Sequence, residues 1–86
     1  MNDQEIKIGR KADVLMQDEV FFVAVEKMRQ DQLYIFESSK PEDSAKREMA
    51  WAMLKSIENF KSEIRKMSDN GKVSQRAIER AQQKFV

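Results

Sequence analysis

Ala50-Trp51-Ala52-Met53-Leu54-Lys55-Ser56-Ile57-Glu58-Asn59-Phe60-Lys61-Ser62-Glu63-Ile64-Arg65-Lys66-Met67 is the stretch on which the fold turns. Ala50, Met53, Ile57, Phe60, Ile64 and Met67 follow one another at intervals of three, four, three, four and three. A helix turns once every 3.6 residues, so this spacing lays all six along one stripe, the pattern of a coiled-coil seam. Trp51 and Leu54 widen the stripe on one side, which suits packing against more than one neighbour.

Working upstream, Ser38, Ser39, Lys40, Pro41, Glu42 and Asp43 read as the end of one helix and the start of the next, with Pro41 the chain's single proline. Ser39 and Glu42 have the spacing of a capping box, in which a serine hydroxyl and a glutamate carboxylate take up unpaired amides. A turn this short predicts antiparallel neighbours. Before it, Val14, Leu15, Phe21, Phe22, Val25, Met28, Leu33, Ile35 and Phe36 again recur mainly every three or four residues. Asp18 followed by Glu19 offers a fresh helix start, so a break near Gln17 is compatible with the pattern. Residues 1–11 surround Ile6 and Ile8 with polar groups and contain Gly9, and they read as a flexible arm.

Downstream, Asn70-Gly71 supplies a stop signal. Residues 73–85 then form a short amphipathic helix, with Ala77, Ala81 and Phe85 on one face and Arg76, Arg80 and Lys84 on another. The expected fold is therefore all-α: an antiparallel hairpin of two long helices, about 14–38 and 41–69, plus a short basic C-terminal helix at about 73–85. Together they make one domain over residues 12–86.

Composition narrows the chemistry. The 86 residues include no Cys and no His, which removes thiol nucleophiles, thiolate and imidazole metal ligands and the commonest general base. With only Gly9 and Gly71, no phosphate-cradling glycine loop can be written. Glu42, Asp43 and Glu48 flank a helix start, where the dipole alone favours acidic groups, so they point to structure rather than to a metal. The expectation is a non-enzyme with no cofactor, no membrane span, and a cytoplasmic location.

Charged residues are 36% of the chain, yet the net charge is +1, so bulk electrostatics select no partner. The balance is uneven. Residues 1–60 carry 9 basic and 12 acidic side chains, and residues 61–86 carry 7 and 3. Lys72, Arg76, Arg80 and Lys84 are the candidate docking surface, for an acidic protein surface or for nucleic acid. Phe21, Phe22 and Trp51 are the candidate interface anchors, because adjacent helical aromatics diverge by about 100° and one of them exceeds what a hairpin can bury. A helix-turn-helix with its turn at Asp69–Lys72 is a weaker alternative, since the preceding helix is longer than that motif uses.

The phenylalanine-led helix Asp18-Glu19-Val20-Phe21-Phe22, the Ser38-to-Asp43 turn, Arg47-Glu48 followed by Trp51 and Leu54, and Asn70-Gly71-Lys72 before a basic tail together resemble short helical proteins encoded by tailed bacteriophages. The resemblance covers about residues 18–85 and consists of helix punctuation and core positions. It implies an accessory protein of virion assembly and carries over no binding or catalytic residue. The resulting expectation is a self-associating assembly or adaptor protein that contacts another virion or host protein. The alternatives are a small DNA-binding regulator, a DNA-packaging subunit, or an inhibitor of a host protein.

Overall fold

A computed structural model describes residues 3–83 and places them in three helices: α1 (Asp3–Gln17), α2 (Glu19–Ser38) and α3 (Ser44–Gln83). The all-helical expectation holds, with no strand among the described residues. The finer architecture differs in three respects, each with a physical cause.

The segment expected to be a flexible arm is the helix α1 from Asp3 onward, and Gly9 lies buried inside it. The expected helix 14–38 is two helices, broken where Asp18-Glu19 allowed a fresh start: Asp18 is the single residue between α1 and α2, and its amide donates to the Leu15 carbonyl at 3.1 Å. The expected stop at Asn70-Gly71 does not occur, so α3 runs through forty residues and the predicted short helix 73–85 is its continuation as far as Gln83.

The chain divides into two compact units, residues 19–61 and residues 3–18 with 62–83. In the first, α2 pairs with the N-terminal part of α3. Phe21 meets Phe60, with ring centroids 6.0 Å apart, while near the turn Ser39 meets Arg47. One index rises as the other falls, so the two helices run antiparallel. Val25, Ala50 and Ile57 are the buried apolar residues here. Leu54, between the last two in the helical repeat, is half-buried.

The turn from α2 to α3 is closed by residues other than the expected Ser39–Glu42 pair. The Lys40 amide donates to the Asp43 carboxylate at 3.0 Å, and the Asp43 carbonyl accepts the first amide bond of α3 from Arg47 at 3.1 Å. Asp43 is thus the N-cap. The Arg47 guanidinium reaches back to Ser39 Oγ and to the carbonyls of Lys40 and Pro41, so one side chain satisfies three acceptors of the turn.

In the second unit α1 lies antiparallel on the later part of α3, with Asp13 opposite Ser68, Gly9 opposite Gly71 and Glu5 opposite Ser74. A Cβ built on Gly9 would stand 2.8 Å from Gly71 Cα and 2.9 Å from the Met67 carbonyl oxygen; one on Gly71 would stand 2.9 Å from Gly9 Cα. The backbones therefore touch, which only glycine permits. Two mid-helix glycines each cost about 1 kcal/mol of helix propensity, and the close contact they allow offsets that cost. Around it, the hydroxyl of buried Ser68 donates to Asp13 Oδ1 at 2.7 Å and that of buried Ser74 donates to Glu5 Oε2. Ala12 and Ile64 complete the buried apolar set.

Candidate interaction surfaces

Helical geometry sorts the side chains of α3 in the first unit. Taking Ala50, which is almost fully buried, as the centre of the packed face, each further residue turns by about 100°. Met53 then lies about 60° and Phe60 about 80° to one side, and Met49 about 100° to the same side. Trp51 lies about 100° the other way. The expected seam is correct in Ala50, Ile57 and Ile64, which are buried, whereas Met53, Phe60 and Met67 flank the contact and remain exposed.

The three aromatic anchors separate accordingly. Phe21 is half-buried against Phe60, the two rings inclined at 49°. Phe22 is 59% exposed. Trp51 is 57% exposed, and Lys55 Nζ stands over its ring at 5.7 Å, within cation–π range. Phe21 and Trp51 therefore belong to opposite edges of the helix pair.

An open apolar groove of about 150 Å³ runs along the Phe60 edge, lined by Val25, Met28, Met53, Ser56, Ile57 and Phe60. Its one polar side chain, Ser56, donates to the Ala52 carbonyl of its own helix at 3.0 Å. The other edge is ionic: Arg29 donates to Glu26 Oε1 through Nε at 3.1 Å and Nη2 at 2.6 Å. These hydrogen bonds hold the Glu26 carboxyl below the usual carboxylate range, with a smaller contribution from Lys61, and raise Arg29.

Of the basic candidates, Lys72 stands 3.8 Å from Asp13 in a loose ion pair. Lys72 and Arg76 share a shallow depression with Gln75 and Glu79. Arg76 and Arg80 are exposed and make no ion pair among the described residues, and Lys84 lies outside those residues. The structure adds cations that sequence reading assigned to an arm. Arg10 and Lys72 line one cleft together with Asp13, and Lys7, Arg10 and Lys11 line a wider groove of about 600 Å³ with Ile6, Gln75, Ile78 and the acidic Asp3 and Glu79. The signal for them was present as Lys7, Arg10 and Lys11 at helical spacing, but it has meaning only once α1 is helical.

No side-chain cluster of three acidic groups among the described residues is placed to hold a metal ion, and the carboxylate of Asp43, one of the three acidic residues considered, accepts the Lys40 amide within the turn. No helix there is long and apolar enough to cross a membrane. The chain matches no known protein family, no curated protein and no solved structure.

Proposed function

We propose that this chain is a non-enzymatic helical assembly or adaptor protein that associates with itself through apolar helix surface and docks on a partner through the basic side chains of the α1–α3 unit. The observation that carries the reading is the balance of apolar side chains. Among the described residues the buried apolar set is Ala12, Val25, Ala50, Ile57 and Ile64, two of them alanines, while Phe22, Phe60, Trp51, Met28, Met49 and Met53 remain exposed. Scattered single exposures are ordinary, whereas contiguous ones mark a contact surface, and of these residues Met49, Met53 and Phe60 lie together along one edge of α3. The resemblance to tailed-phage proteins supplies the setting, a virion or its assembly intermediate.

Light scattering on the purified chain during size exclusion, at low and high salt, tests the self-association. The expected mass is a fixed multiple of 10.1 kDa that persists at high salt, because apolar contacts are not screened. A monomer under both conditions overturns it. The docking half is tested by replacing Lys72, Arg76, Arg80 and Lys84 together by Ala. Helicity and oligomer mass are expected to persist while capture on particles weakens; unchanged capture removes the basic surface from the proposal. A discrete, sequence-selective complex with duplex DNA that survives moderate salt would instead support the DNA-binding reading, for which exposed Arg76 and Arg80 are the available groups.

A further inference from the structure

We infer that the groove between α2 and α3 on the Phe60 edge is filled by the same groove of a second copy of this chain, so that two α2–α3 pairs close into a four-helix bundle. The inference rests on the self-association just proposed and assigns it to one face.

Four side chains form the stripe: Met28 is 49% exposed, Met53 40%, Phe60 53% and Met49 71%. With large side chains presenting roughly 150–250 Å² each, these exposures leave on the order of 400 Å² of apolar surface per chain. Two facing copies would hide about 800 Å² of it, against roughly 1,000 Å² of apolar area in a homodimer interface of standard size. Even fully covered, the stripe supplies somewhat less than such an interface, so its rim has to contribute the remainder.

Chemistry narrows the occupant. The groove lining carries no charge, and its one hydroxyl is satisfied by its own helix, so a polar or ionic ligand would lose hydration without gaining a partner. Beside Met28 on α2, Ala24 is small and Asp31 is paired with Lys27 at 3.2 Å. A two-fold axis sets each patch against itself, which an uncharged stripe tolerates. Among the described residues the buried apolar set is small for a chain of this length, so cover over the stripe would add to stability, and another copy is a partner present wherever the chain is made.

The native methionines report on this face. Brief peroxide treatment, read by peptide mass spectrometry at low and high protein concentration alongside light scattering, measures how accessible each thioether is. The expected result is a twofold mass and oxidation of Met28, Met49 and Met53 slowed at least about fivefold at high concentration. Met53→Glu should return the mass to that of one chain, whereas Trp51→Glu on the opposite edge should leave the pair intact. A multimer whose Met28, Met49 and Met53 oxidise at the same rate at both concentrations, or one dissociated by Trp51→Glu and not by Met53→Glu, overturns this face while leaving self-association standing. A monomer at every concentration overturns both. Should Met53→Glu fail to fold, the footprint on the unaltered chain still decides.

Discussion

Gly71 shows how one residue can carry opposite meanings. In isolation it reads as a helix stop, yet here it is a helix interior residue whose missing Cβ lets α1 lie against α3. Gly71→Ala should gain about 1 kcal/mol in helix propensity. It should also lose about 1–3 kcal/mol, because the new methyl meets two backbone positions, Gly9 Cα at 2.9 Å and the Glu5 carbonyl oxygen at 3.0 Å, and neither can rotate away. The larger effect wins, and thermal unfolding followed by circular dichroism should show a lower midpoint. A raised midpoint would mean that the backbones are not in contact. The pairing of residue 9 with residue 71 was not legible beforehand, since glycine's local preference and its tertiary use point in opposite directions. Ser68 and Ser74 were silent for a similar reason: a serine on an apolar face declares nothing until Asp13 and Glu5 stand opposite.

At the scale of elements, periodicity located α2, the first part of α3 and the turn at residues 39–43, because the apolar repeat is a direct consequence of 3.6 residues per turn, but it missed the first two turns of α1 and the continuity of α3 past Gly71. It placed the stripe on α3 but not its centre. Ala50, Ile57 and Ile64 fit two neighbouring stripes, one continuing through Met53 and Phe60 and the other through Leu54, and only packing against α2 and α1 selects between them. Phe21 and Trp51 were expected together as anchors and lie on opposite edges for the same reason. The turn itself depends on Arg47 more than on the expected capping box. Arg47→Ala leaves Ser39 Oγ and two carbonyls without their cation, and a loss of about 1–3 kcal/mol is expected for hydrogen bonds from a charged group, less where water replaces the donor. Glu42→Ala, which removes the expected cap, should change the denaturation midpoint little. Urea titration of both variants checks the ranking.

For the molecule as a whole, a domain of this length is stable by about 4–13 kcal/mol on the usual per-residue scale. With five apolar residues in the buried set, each large one is a sizeable share of that margin. Ile57→Ala is expected to cost about 2–5 kcal/mol, a fall in the thermal midpoint of about 10 °C or more, and calorimetry reads it directly. A fall of only a degree or two would mean that the α2–α3 contact is not where stability resides. The α2–α3 unit is also continuous in sequence, whereas the α1 unit is assembled from residues 3–18 and 62–83. During synthesis, α2 can therefore find its partner as soon as the first part of α3 leaves the ribosome. Helix α1 precedes both in the chain, and the Gly71 and Ser74 positions it packs on follow more than sixty residues later. The contact between α1 and α3 thus closes a loop that contains the whole α2–α3 unit, so it carries the larger closure cost of the two and is expected to form after the α2–α3 pair.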